Sequence, residues 1–181
     1  SETVGGMLNS IGLQNSGLND FVENKLPSYK NFRTRLIVSI GGESNSEYAE
    51  VASVLSGYKE IDAFELNISC PNIEYKEKII AQDEKLTFNL VREVRRKTRL
   101  PLIVKLSPNV EDVTKIAKAA QDAGADAISL INTLLGMAIN VKTRKSVLGN
   151  ITGGLSGPAI KPIALRMVWQ VHNKTTLPII G

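Results

Sequence analysis

The 181-residue sequence has little of several things: one cysteine (Cys70), one histidine (His172) and only 5% aromatic residues. A single cysteine excludes an internal disulfide framework and suits a reducing compartment such as the cytoplasm. No apolar run approaches the length of a membrane span, and no secretory-signal pattern opens the chain, so no membrane association is expected. Strong charge of one sign is also missing: the net charge is +4. The basic residues sit among acids, as in Lys76-Glu77-Lys78, or cluster without aromatics, as in Arg95-Arg96-Lys97. These read as solvated helix faces, and no nucleic-acid partner is expected. No metal centre is expected either.

What is present, 43% hydrophobic and 22% charged residues, fits one globular domain with its own core. The chain opens on Ser1 and closes on Leu177-Pro178-Ile179-Ile180-Gly181, which reads as a strand met at its end. Residues 1–181 are therefore expected to form a single domain truncated at both ends.

Short β-branched runs predict strands at Leu36–Ile40, Ala63–Ile68, Pro101–Leu106, Ala127–Ile131 and Leu177–Ile180. They are nearly continuous apolar runs, as in parallel strands covered on both faces. Helical patterns separate them. Ser44 and Glu47 form a capping-box pattern ahead of Tyr48, Val51, Ala52 and Leu55, which fall on one helix face. Asp83 is expected to cap a helix carrying Leu86, Leu90, Val91 and Val94. Asn109 with Asp112 is expected to cap another, in which Val113, Ile116, Ala117 and Ala120 share a face before Gly124. Pro158 opens a turn before Ala164, Met167, Val168 and Val171 repeat the spacing. His172, late in that helix, reads as a helix-end residue with no catalytic role.

Alternating strands and helices give either a doubly wound sheet or a (β/α)8 barrel. Periodicity does not choose between them. The loops favour the barrel, because Asn67-Ile68-Ser69-Cys70-Pro71-Asn72, Lys105-Leu106-Ser107-Pro108 and Asn132-Thr133 lie at strand C-termini. Polar groups from successive strand ends converge where the sheet closes.

Singly, these residues say little. A lone cysteine is usually a small buried hydrophobe, but an amide-rich loop after a strand is a costly place for one and a suitable place for a polar ligand. As a base, Cys70 needs thiolate character. Lys105 interrupts Leu102-Ile103-Val104-Lys105-Leu106. Pointing inward it needs a negative partner, such as an anionic substrate or a flavin gaining charge on reduction; otherwise it snorkels from the strand end. Asn9, Asn67, Asn72 and Asn132 together have the donors and acceptors to read a planar ring, although each alone is an ordinary turn residue. Gly153-Gly154-Leu155-Ser156-Gly157 suits close approach of backbone to a cofactor, and equally a plain turn.

Four blocks (Asn9-Ser10-Ile11-Gly12-Leu13, Asn67 to Asn72, Val104-Lys105-Leu106-Ser107-Pro108-Asn109 and Asn132-Thr133-Leu134) resemble dihydroorotate dehydrogenase motifs in order and spacing. A fifth, Asn150-Ile151-Thr152-Gly153-Gly154-Leu155-Ser156-Gly157-Pro158-Ala159-Ile160-Lys161-Pro162, is the most distinctive. The resemblance covers essentially the whole chain and is closest to the class 1 branch, within it the NAD-linked class 1B catalytic subunit. It implies an incomplete (β/α)8 barrel, about strands two to seven, with FMN over the strand C-termini. It implies Cys70 as catalytic base in oxidation of dihydroorotate to orotate, a step of pyrimidine biosynthesis. Asn9, Ser10, Ile11, Gly12, Leu13, Asn67, Asn72, Asn132 and Thr133 would hold substrate. Ser39, Asn67, Lys105, Ile131 and Gly157 would face FMN. Ser39 stands where the family often has asparagine, and the loop from Ile73 to Ile80 lacks the glycines usual there. The resemblance also implies a separate subunit carrying FAD and an iron–sulfur cluster, with NAD as acceptor, around a homodimer core of a heterotetramer. Alternatives are a dihydropyrimidine dehydrogenase-like or dihydrouridine synthase-like FMN barrel, and an inactive barrel fragment that binds no flavin.

Overall fold

The computed structural model describes residues 2–69, 74–75 and 78–181. Five strands lie parallel: β1 (Ile37–Ile40), β2 (Ala63–Asn67), β3 (Leu102–Leu106), β4 (Ala127–Leu130) and β5 (Ile179–Ile180). Each agrees with a run expected from sequence, shorter at one end by one or two residues. Their order in the sheet is their order in the chain. The connecting helices are α1 (Asn45–Leu55), α2 (Glu84–Arg95), α3 (Val113–Asp122) and α4 (Lys161–His172), and consecutive helices pack against one another. A doubly wound sheet reverses its strand order and places helices on both faces. Sequential order with one helical layer is the winding of an α/β barrel, here an incomplete one.

Alternation along the strands sorts side chains between the two faces. Phe64, Leu66, Leu102, Val104, Leu106 and Ile128 are completely buried and form one cluster with helix residues such as Leu90, Val91, Ile116 and Ala117. The side chains between them, Ser39, Glu65, Asn67, Ile103, Lys105 and Ser129, therefore occupy the opposite, concave face. The helices start where the sequence expects. Ser44 Oγ accepts from Glu47 N at 3.2 Å, and Asp83 Oδ1 accepts from Leu86 N at 3.0 Å. The capping box is displaced by one residue, because Glu47 reaches back to the N–H of Glu43. Asp112 alone caps α3, accepting from Thr114 N at 2.9 Å. Asn109 takes no part in that cap and is engaged elsewhere.

A second, antiparallel sheet rises from the C-terminal end of β4. Its strands are ordered Glu2–Thr3, Gly6–Asn9, Thr152–Ser156 and Leu134–Met137. The glycine-rich stretch is thus a strand, not a turn, and its glycines serve packing between strands. A Cβ at Gly153 would overlap the carbonyl of Asn9, and one at Gly154 would overlap the Thr133 hydroxyl. Gly157, at φ +104°, turns the chain into the short 3-10 helix Pro158–Ile160 that precedes α4.

At the opposite, N-terminal end of the parallel sheet, one device occurs twice. Asp62, just before β2, accepts from Leu36 N at 2.8 Å and from Arg35 Nη1 at 2.6 Å. Asp126, just before β4, accepts from Leu102 N and from Arg95 Nη1, both at 2.8 Å. In each, an aspartate entering one strand satisfies an N–H where the preceding strand in the chain begins. The bond from Leu36 N and then the Arg35 guanidinium hold the Asp62 carboxyl below its ordinary range. A lowered carboxylate stabilises the fold above its unfolded pKa, and that contribution is lost as pH falls through the folded value. Asp62→Asn should therefore flatten the acid limb of stability against pH below about pH 4. Thermal melts between pH 2.5 and 7 check this; equal steepness in both proteins would contradict it.

Candidate active site

Pairing between parallel strands sets the site. Asn67, the last residue of β2, is in register with Lys105 on β3, and Lys105 is in register with Ser129 on β4. Equal rise along each strand therefore delivers an amide, an ammonium and a hydroxyl to one row near the C-terminal ends, on the concave face. Ser129 is almost completely buried and donates from Oγ to Glu65 Oε1 at 2.8 Å, reaching across β3. Glu65 thus has a partner one layer below Lys105. Among the described residues no ion pair or hydrogen bond holds the Lys105 ammonium.

Asn67 shows a second unmet demand. Its Oδ1 is shut from solvent and has no hydrogen-bond partner among the described residues. Its backbone is held firmly, with the fully buried Tyr48 donating from its hydroxyl to the Asn67 carbonyl at 2.7 Å. A buried acceptor without a donor is costly and is seldom left so unless a ligand meets it. Beside it on the next strand stands Lys105, a cation without a partner among the described residues.

The second, antiparallel sheet, a roof sheet beyond the strand ends, brings in the other segments. Asn9 ends its strand opposite Gly154, and Gly154 lies under Thr133. Asn132 N donates to Leu106 O at 3.0 Å, fixing the start of the loop after β4. Ile131 follows β4 across a cis peptide bond and is partly buried against the core. A cleft of about 790 Å³ opens along β1, lined by Gly12, Leu13, Ser39 and Asn67 among others. Lys105, Ile131, Asn132, Thr133 and Gly157 do not line it. Ser10 is partly buried, Ile11 is directed to solvent at 71% exposure, and Gly157 packs on Gly6. Cys70 and Asn72 lie outside the described residues. Their neighbour Ser69 is described: its Oγ donates to Lys105 O at 3.3 Å, tying the loop after β2 to β3. Among the described residues no cluster of His, Cys, Asp and Glu has the makings of a metal site. No helix among them is long and apolar enough to cross a membrane.

Sequence reasoning passed over two features. One is the Glu65–Ser129 pair; its signal was a lone acid in Ala63-Phe64-Glu65-Leu66-Asn67, the same kind of signal that drew attention to Lys105. The other is Asn109. Its side-chain amide donates to Thr133 O at 3.0 Å and accepts from Leu135 N at 2.9 Å. Nothing local in Ser107-Pro108-Asn109 distinguishes that role from a helix cap.

Comparison with known proteins gives the family. The family model described as Dihydroorotate dehydrogenase matches residues 1–181. The chain is 56% identical over 180 residues to a protein of Citrifermentans bemidjiense named dihydroorotate dehydrogenase B (NAD(+)), catalytic subunit, covering 99% of this chain and 59% of that one. Proteins of the same name from Geobacter sulfurreducens and Alkaliphilus metalliredigens are 53% and 51% identical, with 59% and 60% of their lengths covered. The chain thus spans about three-fifths of the length of the curated relatives it matches. With the model matched from its first residue to its last, the chain belongs to the dihydroorotate dehydrogenase family.

Proposed function

We propose that the protein oxidises dihydroorotate to orotate in pyrimidine biosynthesis, as the FMN-dependent catalytic subunit of an NAD-linked enzyme. The observation that carries this reading is the pair at the strand ends: a buried Asn67 Oδ1 without a donor, in register with a Lys105 ammonium without an anion, among the described residues. A flavin ring has the complementary edge, with an imide N–H to give and ring acceptors that gain negative charge on reduction. The residues therefore fit FMN. Asn67 and Lys105 would hold its ring, with Ser39, Ile131 and Gly157 as further contacts. When bound, FMN supplies the hydride acceptor.

The chain's own residues supply the remainder. Cys70 Sγ, as thiolate, takes a proton from the carbon next to a ring carbonyl of dihydroorotate. The neighbouring carbon gives up hydride, so two C–H bonds break and one C=C bond forms. Lys105 places a fixed positive charge where negative charge develops, in a site built before reaction begins. Asn9, Asn72, Asn132 and Thr133, with the segment Ser10-Ile11-Gly12-Leu13, hold the substrate ring and its carboxylate.

Electrons then leave through a separate subunit carrying FAD and an iron–sulfur cluster, with NAD as final acceptor. Two things support that partner: the relatives are named catalytic subunits, and one cysteine is too few to ligate a cluster in this chain. Leu135 and Met137 of the roof sheet are exposed, as are Ile139, Val141, Val147 and Ile151 in the segment joining Leu134–Met137 to Thr152–Ser156, apolar surface suited to association in a homodimer or heterotetramer. A cytoplasmic setting goes with this reading, and the lone cysteine is in keeping with it.

Two substitutions test the roles. Cys70→Ser should lower kcat by at least about a hundredfold with FMN still bound, because a general base contributes on that order. Stopped-flow reduction of the flavin measures it, and undiminished reduction would refute the base assignment. Lys105→Ala should weaken FMN binding or lower the flavin reduction potential. Fluorescence titration and potentiometry measure these; an unchanged affinity together with an unchanged potential would refute the flavin-facing lysine.

A further inference from the structure

The loops after β2, β3 and β4 meet at one residue. Asn109 follows β3 by three residues. Its amide Nδ2 donates to Thr133 O at 3.0 Å and to Ser107 Oγ at 3.3 Å, while its Oδ1 accepts from Leu135 N at 2.9 Å. The partners fix the orientation of this amide, because a backbone N–H only donates and a carbonyl only accepts. Donating to the carbonyl before Leu134 and accepting from the N–H after it is the pattern one residue of a parallel strand would make there. Asn109 thus stands in for a strand on the edge of Leu134–Met137 that faces away from Thr152–Ser156. Its backbone carbonyl in turn accepts from Gln82 Nε2 at 2.9 Å, on the segment that returns from the loop after β2. Its own turn is closed by Ser107, almost fully buried, whose Oγ accepts from Asn109 N at 3.2 Å.

Thr133 is held from two sides by this arrangement. Asn109 fixes its carbonyl, and the missing Cβ of Gly154 leaves the seat for its side chain. Asn132 is tethered separately, through its backbone N–H to Leu106 O. Asn67 and Lys105 stand on strands and owe nothing to Asn109.

We propose that Asn109 is a positioning residue for substrate, setting the Asn132–Thr133 edge against the dihydroorotate ring without touching it. The proposal rests on the reading that this site binds dihydroorotate. Removing the amide frees the Thr133 carbonyl and the Leu135 N–H together, so the substrate edge loses its setting while the flavin contacts keep theirs. The signature is a separation of effects: weaker substrate and product binding, with flavin binding and the chemical step preserved.

The test compares the FMN-loaded protein with its Asn109→Ala and Asn109→Asp variants. Asp keeps an acceptor for Leu135 N and loses the donor to Thr133 O and Ser107 Oγ. Loss of these bonds should raise the KM for dihydroorotate, and the Kd for orotate by calorimetry, about tenfold in Asn109→Ala. The value of kcat should stay within about twofold and FMN affinity should be unchanged. Asn109→Asp should move KM and Kd in the same direction, and it decides the matter if the alanine variant does not fold. An unchanged orotate Kd in the folded variants, with or without a lower melting temperature, would make Asn109 purely structural and overturn the proposal. Failure of the unsubstituted, FMN-loaded protein to bind orotate would instead overturn the dihydroorotate reading, and this proposal with it.

Discussion

Everything at the site depends on the register of the parallel ladder. Because β2, β3 and β4 pair without offset along their C-terminal halves, Asn67, Lys105 and Ser129 stand abreast on one face. A one-residue slip of any of these strands would turn its member of the row into the helical layer, where Leu66, Val104 and Ile128 now sit fully buried. An ammonium among those side chains would have no solvent and no partner. The apolar packing of one face therefore enforces the polar arrangement of the other. Core and site are two faces of one sheet.

The two ends of that sheet are used differently. At the N-terminal end, Asp62 and Asp126 satisfy strand N–H groups and are themselves paired with Arg35 and Arg95. Those groups hold strand starts in place, and both carboxylates are paired from within the chain. At the C-terminal end demands are left open: Asn67 Oδ1 has no donor and Lys105 no anion among the described residues. Barrel enzymes place stability and chemistry at opposite ends in this way. The roof sheet then brings Asn9, Thr133 and Asn109 to the open end, using Gly153 and Gly154 to let the strands approach.

The sequence made the parallel layer legible because its signals are local. Continuous β-branched runs marked all five strands, and Ser44, Asp83 and Asp112 marked three helix starts by side-chain oxygens that do cap. The roof sheet was not legible. Its strands are short, carry several glycines, and pair residues far apart in sequence, such as Asn9 with Gly154. Their stability comes from partners no local window contains. The role of Asn109 is hidden for the same reason: asparagine before a helix is usually a cap, and only the fold brings Thr133 and Leu135 within its reach. Lys105 and Asn67 were legible as candidates, one as a charge in an apolar strand and the other as an amide at a strand end. Their lack of partners among the described residues is visible only in the structure.

The central claim is that this site binds FMN and uses it to oxidise dihydroorotate. The most direct test is the visible absorption spectrum of the purified protein, taken anaerobically before and after dihydroorotate is added. The account predicts a flavin spectrum that bleaches on addition. A colourless protein that cannot be reconstituted with FMN, or a bound flavin that dihydroorotate leaves oxidised, would contradict it.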